Sequence, residues 1–495
     1  MNFLNHKFKV LIGGQLKGAS GGETMDIINP ANGELVAKVP RCTIDDVNEA
    51  AAAAKAAFPK WKNTYIGDRA KLLFKLAAII DEHKDELIPM ETAQYGGPLS
   101  KTSNFDIPSA VGEIELMAGM GRGVSGTTIS ADPNARVMTF REPYGVVGLI
   151  TPWNFPLVTA VSKLGPALIT GNTCILKPPS CAPLTVLKLA EYCVEAGFPE
   201  GVVNVITGPG SEVGEAIVAH PDVSKINFTG DSKVGTRIME IASKSVKPVA
   251  SELGGKNAMI VLDDAELDSV IETAVYSAFF NSGQNCGSPS RFYVQEGIYD
   301  EFVTRFVETA KRIKVGDPMD PETMMGPLAY MNCRKTAERY IQSAKDAGFK
   351  LLLGDELPEA LRNGAYVMPH IFEVTDNKHE FMQEEIFAPV VGIMKVKTPE
   401  EAVTLVNDNK YGLCSSVWTR DYRKGLLMID NLRTGTCWIN QHLKIVPETP
   451  WGGCKESCWT KENSFMVYDE YTFQKHVWLE LGDKPHTFWE NMITL

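Results

Sequence analysis

From Gly145 onward the sequence alternates short, β-branched apolar runs with helical runs, and it does so twice. The first series has the apolar runs GVVGLI (145–150), TCILK (173–177), VVNVIT (202–207) and KINFT (225–229). Helical stretches at Leu184–Ala196, Glu212–Ala219 and Val234–Ser243 separate them. A second series runs from NAMIVL (257–262) to TCWIN (436–440), with helices at Tyr299–Ile313 and Pro399–Asp408. Strands alternating with helices of this length predict parallel, doubly wound sheets, so the fold class is α/β. At 495 residues the chain exceeds one ordinary core, and two such series predict two α/β domains.

The flanks read differently. Residues 8–40 predict small strands, and 46–58 an Ala-rich helix stopped by Pro59. A second helix is expected from Asp68, with Leu72, Leu73, Leu76, Ile79 and Ile80 on one face. Segments 125–143 and 470–480 read as strands without partners inside either domain, and open edges commonly pair with another chain. The expected division is therefore a first α/β unit (1–124 and 144–254), a second (255–456) and flanking segments (125–143 and 457–495).

Composition narrows the function classes. A net charge of −12 without a basic stripe argues against nucleic acid and anionic membrane as partners. The N-terminus lacks a secretory signal pattern, and no apolar run reaches the ~18 residues of a membrane span. Most of the ten cysteines sit singly in apolar runs, which fits a reducing cytoplasm. Cys454 and Cys458 lack a second pair or a nearby histidine, so no metal site is expected.

In a doubly wound sheet, ligands bind beyond the C-terminal strand ends. PWNFP (152–156), KPPS (177–180), GPG (208–210) and TGD (229–231) each follow one of the first-series strands. Downstream, Cys286 sits in GQNCGSPS among Gly, Gln, Asn and Ser rather than in a packed apolar run. Upstream of it, Glu252 precedes the paired glycines of ELGGKN. A thiol to attack a carbonyl and a carboxylate to activate water are the two parts of thioester formation and hydrolysis. The thiohemiacetal oxygen needs donors, which backbone N–H groups near Cys286 and the Asn154 amide can supply.

The ordered set INPANGE, AAKAAFPKW, PWNFP, ELGGKN, GQNC, EEIFAPV and PWGGCKES spans nearly the whole chain. It resembles the NAD(P)-dependent aldehyde dehydrogenase superfamily. The resemblance implies that fold, with 1–124 and 144–254 as the dinucleotide-binding domain, 255–456 as the catalytic domain and 125–143 and 457–495 as oligomerisation segments of a homodimer or homotetramer. It also implies a hydrolytic reaction, because acyl-transferring relatives generally lack the glutamate. Lys163 matches a lysine assigned there to proton relay or support. For the cofactor, NAD+ or NADP+, it implies Ile150, Thr151, Pro152, Trp153, Lys177, Ser180, Gly210, Gly230, Asp231, Val234, Leu253, Glu385 and Phe387. Three positions depart from the family pattern. Ser180 stands where much of the family has a glutamate on the adenosine ribose, so NADP+ is expected to be tolerated. Asp231 replaces a serine and is a good N-cap but an awkward neighbour for pyrophosphate. The loop from Ser457 to Ser464 differs from the usual motif and is taken as not required for chemistry.

The substrate pocket implied by the resemblance comprises Phe155, Thr159, Ser162, Phe280, Asn285, His442, Lys444 and Trp451. Phe155, Phe280 and Trp451 could face a cation, favouring an amino- or betaine-type aldehyde. His442 and Lys444 suggest instead an anionic, acidic or phosphorylated aldehyde. From other classes, a cofactor-independent cysteine esterase and a structural protein on the same fold remain as alternatives.

Overall fold

The computed structural model describes residues 3–482, so the terminal KPHTFWENMITL lies outside the described residues. Two seven-stranded sheets form its centre. In the first, the order is Val249–Leu253, Val223–Gly230, Val146–Ile150, Thr173–Lys177, Val203–Val205, Val10–Ile12 and Gln15–Lys17. The first five strands are parallel, as the alternation predicts. Val10–Ile12 then joins antiparallel to both Val203–Val205 and Gln15–Lys17. Strands 146–150 and 173–177 are buried throughout, with helices on both faces, which explains their unbroken apolar texture.

The second sheet has the order Lys350–Gly354, His370–Glu373, Val390–Val396, Pro289–Gln295, Asn257–Val261, Cys414–Trp418 and Thr436–Ile439. It is parallel except for Lys350–Gly354. Only Gly254, Gly255 and Lys256 separate the last strand of the first sheet from the central Asn257–Val261 of the second. The chain thus crosses between the sheets directly after Glu252.

Three expectations about the flanks are corrected. Pro59 lies inside the helix Ile44–Lys62, which continues past it for another turn. The buried Trp61 in that turn anchors it to the core, which offsets the hydrogen bond that proline removes. The neighbouring helix starts at Ile66, two residues before the expected cap. Segments 125–143 and 470–480 do have partners, namely each other. Thr472–Glu480 pairs antiparallel with Ala135–Pro143 in a nine-residue register, and Thr128–Ile129 adds a third strand. Among the described residues nothing pairs with the outer edge of Thr472–Glu480, and that strand exposes Phe473, Trp478 and Leu479. Among the described residues no helix is long and apolar enough to cross a membrane.

Candidate active site

Strands Asn257–Val261 and Pro289–Gln295 lie side by side, with Asn257 opposite Pro289. Glu252 precedes the first by five residues and Cys286 the second by three, so pairing the strands brings carboxylate and thiol together. The two side chains bear on each other electrostatically. Both line a cavity of about 700 Å³ between the sheets. It faces the C-terminal strand ends of the first sheet but the N-terminal ends of the second, so the strand-end rule applies to only one of them.

The loop carrying Cys286 is held in a costly shape. Asn281, Ser282 and Gly283 are all left-handed, at φ +54°, +58° and +70°. A Cβ at Gly283 would come 2.3 Å from the Ala388 carbonyl, so only glycine fits there. Hydrogen bonds over-determine the turn. Asn281 Nδ2 donates to the Asn154 carbonyl (2.9 Å) and Ser282 Oγ to the Gly326 carbonyl (2.8 Å). Ala329 N donates to Gln284 Oε1 (2.8 Å), and Asn154 Nδ2 donates to the Gln284 carbonyl (3.1 Å). That last bond takes one N–H of the Asn154 amide and orients the other.

Helix Pro156–Ile169 supplies the opposite wall. Proline at its first position needs no N–H, and the Leu157 N–H donates to the buried Glu91 carboxylate (3.1 Å). Thr159 and Ser162 line the cavity from this helix, with their hydroxyls turned back to the Phe155 and Thr159 carbonyls. Lys163 is fully buried; it donates to Asn227 Oδ1 (2.6 Å) and pairs with Glu462.

Burial pushes the Cys286 thiol well above its ordinary range, and the Glu252 carboxyl pushes it further. Burial likewise raises Glu252, to about 8, with the Glu462 carboxylate adding to the effect. Lys163, the Cys286 thiol and the Trp451 indole act in the opposite sense. Trp451 Nε1 donates to Glu252 Oε1 (3.2 Å), while the Trp451 backbone exchanges two 2.8 Å bonds with Glu462. Glu252, Trp451, Glu462 and Lys163 are therefore one connected unit.

This part of the cavity suits a buried nucleophile and base, and comparison with known proteins decides between chemistries. The aldehyde dehydrogenase family matches residues 17–477. The chain belongs to the aldehyde dehydrogenase family. PnpE from Pseudomonas sp. WBC-3 is 37% identical with a TM-score of 0.95, covering 98% of this chain and 100% of its own. An NAD-dependent aldehyde dehydrogenase from Sinorhizobium meliloti is 35% identical at TM-score 0.95, covering 98% and 97%. A betaine aldehyde dehydrogenase from Staphylococcus aureus, described in complex with NAD+, is 34% identical at TM-score 0.95, covering 98% and 97%. PnpE has likewise been described in complex with nicotinamide adenine dinucleotide.

Of the residues expected at the cofactor, Pro152, Trp153, Gly230, Asp231, Leu253, Glu385 and Phe387 line the cavity of this aldehyde dehydrogenase. Ile150, Thr151, Lys177, Ser180, Gly210 and Val234 lie off it, at or beyond the ends of the first sheet's strands and helices. The Glu385 carboxyl accepts from Gly255 N (2.9 Å), and burial raises it to about 7. Phe387 is left-handed at φ +57° and meets Trp153 edge-on at 5.5 Å. Asp231 caps helix Ser232–Ser243 by accepting from Lys233 N and Val234 N. Ser180 Oγ donates to the Gly208 carbonyl (2.8 Å), and the buried Lys177 Nζ donates to Pro178 O (3.0 Å).

The expected substrate pocket needs three corrections. His442 is buried beneath the cavity floor, bonded to Ser416 Oγ (2.8 Å) and the Gly287 carbonyl (3.0 Å). Burial lowers it to about 4, so it is neutral and offers no charge to a substrate. Lys444 is exposed and does not line the cavity. Trp451 lines it, but its N–H holds Glu252. Phe155 and Phe280 line it too, yet a resident cation already faces them: Lys101 Nζ lies 4.3 Å and 5.7 Å from their ring centres. Asn285 lines it as expected, its Oδ1 accepting from Gly287 N (2.9 Å).

Sequence reasoning missed two acidic groups in this wall. Glu462 lies in the very loop taken as dispensable, and nothing in its turn-like surroundings marks it. Glu113 was legible in principle, because it falls on the stripe Ala110, Ile114 and Met117 that helix Ile107–Met120 buries.

Proposed function

We propose that the enzyme oxidises a small aldehyde to its carboxylate with NAD+, through a thiohemiacetal and then a thioester on Cys286. The observation that carries this reading is the juxtaposition of Cys286, Glu252 and the Asn154 amide in one cavity. Cys286 delivers its proton to Glu252 as its sulfur bonds to the carbonyl carbon. The free Asn154 N–H and a backbone N–H of the Cys286 loop hold the resulting oxyanion. Glu252 passes that proton on to solvent and, ionised again, takes a proton from the water that cleaves the thioester, with the Cys286 sulfur leaving as thiolate. Lys163 and Glu462 support that carboxylate through Trp451.

The residues fit a dinucleotide. Thr151 Oγ1 is buried at a strand end with no partner among the described residues, the Glu385 carboxylate suits a ribose, and helix Ser232–Ser243 opens beside Gly230. Bound NAD+ would accept the hydride released from the thiohemiacetal carbon. With serine at position 180, no carboxylate there repels a 2′-phosphate, so NADP+ is tolerated. Replacing Ser180 with glutamate should lower kcat/KM for NADP+ by roughly tenfold or more relative to NAD+; unchanged ratios refute this account.

As substrate, a short polar uncharged or amino aldehyde fits better than an anionic one, since the cavity is lined by Glu113, Glu252 and Glu462 and not by His442 or Lys444. The exposed apolar edge of Thr472–Glu480 supports a homodimer or homotetramer, and the cysteine usage supports a cytoplasmic setting.

An aldehyde panel with NAD+ and NADP+, followed at 340 nm, tests the reaction. Cys286→Ala should lose turnover by at least about 10⁴-fold. Ester hydrolysis with no aldehyde oxidation in the wild type would favour the cofactor-independent esterase.

A further inference from the structure

Glu113 is an acidic group in the cavity wall to which neither the reaction nor the cofactor gives a role. It lines the cavity, is only 6% exposed, and its Oε2 is buried with no hydrogen-bond partner among the described residues. A buried carboxyl without a partner is costly, and here it sits on a helix face otherwise packed with Ala110, Ile114 and Met117. Its helix crosses the one that carries Ser162. A Cβ on Gly165 would come 3.1 Å from Met117 Cβ, one helical turn beyond each of Ser162 and Glu113. Both Ser162 and Glu113 line the cavity, and the Ser162 hydroxyl is turned back onto its own helix. The small serine therefore leaves space beside Glu113 without satisfying it. Phe105, Phe155, Val158 and Phe280, also in the cavity wall, are apolar and offer no strong hydrogen-bond acceptor.

We propose that Glu113 is a specificity-determining residue: its carboxyl receives a hydrogen-bond-donating substituent, a hydroxyl or an ammonium, on the aldehyde substrate. The proposal rests on the aldehyde-oxidation reading above. Burial, with Glu462 and Glu448 nearby, holds the Glu113 carboxyl up at about 8. In its neutral form it both accepts from and donates to a hydroxyl; an ammonium would pair with its ionised form. A quaternary ammonium has no N–H and gains nothing from it. Sites built to bond a polar substituent reject analogues that lack it, because the protein group is then left buried and unpaired.

The test is steady-state oxidation of four aldehydes of equal chain length by the full-length enzyme with NAD+. They are unsubstituted, or carry a terminal hydroxyl, primary amine or trimethylammonium group. In the wild type, the hydroxy or amino aldehyde should exceed the unsubstituted one in kcat/KM by roughly tenfold. Glu113→Leu should erase that advantage while leaving the unsubstituted aldehyde within about twofold. Glu113→Gln separates the two donors, keeping an advantage that came from hydroxyl and losing one that came from ammonium. Because each ratio is taken within one protein, partial misfolding of a variant cancels. The proposal is overturned if Glu113→Leu keeps the wild-type ratio, if no donor-bearing aldehyde beats the unsubstituted one, or if the trimethylammonium compound does best. Failure of the wild type to oxidise any of the four would instead overturn the dehydrogenase reading itself.

Discussion

Lys163 and Lys101 are both buried against a carboxylate and both stand close to the cavity, yet their surroundings differ. Lys101 and Asp106 are 4% and 0% exposed, with Lys101 Nζ 2.7 Å from both carboxylate oxygens and 2.6 Å from the Tyr95 hydroxyl. Every partner of that pair is internal, and its ammonium faces the backs of Phe155 and Phe280. Lys163 is 1% exposed, but its partner Glu462 is 16% exposed and lines the cavity. Glu462 is the leading charge that raises Glu252, and Asp106 is not among its main influences. A sealed ion pair fixes a wall, whereas one open to the cavity sets the charge of a reacting group.

The largest effect should appear at Glu252, the group to which the open pair is coupled. Glu252→Gln should slow thioester hydrolysis by about 10²–10⁴-fold while leaving a burst of absorbance at 340 nm, itself slower in onset because the thiol loses its base. Full steady-state turnover in that variant would remove the reason for treating the Lys163 pair as functional.

The sealed pair should show itself in stability instead. Asp106→Ala leaves an ammonium buried without its partner, and should cost about 3–5 kcal/mol in denaturant unfolding. Glu462→Ala should cost less, because its carboxylate reaches the cavity. Equal losses for the two variants, with kcat of the folded protein unchanged in both, would erase the distinction.

That distinction was out of reach from the sequence, and the reason is physical. The strands of both sheets were legible because burial on two faces forces unbroken β-branched runs such as TCILK. Cys286 and Glu252 were legible because glycine-rich bends beside reactive side chains are uncommon in a packed core. Nothing periodic marks 441–464, a long connection whose side chains point wherever the fold closes. His442 and Lys444 were accordingly placed in a pocket that the first underlies and the second faces away from, while Glu462 went unnoticed. Lys101 was equally hidden, since its partner Asp106 lies five residues away in a helical stretch, where sequence alone suggests two solvated charges.

The smallest effect is the most diagnostic, because its sign is set by the geometry. Glu252 must be ionised to activate water, and it is held at about 8, so kcat limited by hydrolysis should rise with pH through that region. Glu462 is among the causes that raise Glu252, and Lys163 among those that lower it. Removing the negative charge with Glu462→Gln stabilises the Glu252 carboxylate, so the acid limb of kcat should move to lower pH. Removing the positive charge with Lys163→Met should move the limb to higher pH. Asp106→Asn should move it in neither direction, since that pair is not among the main influences on Glu252. Opposite shifts at 462 and 163 would tie the open pair to the base. Shifts of the same sign, or an equal shift at 106, would mean that both pairs act only by holding the walls in place.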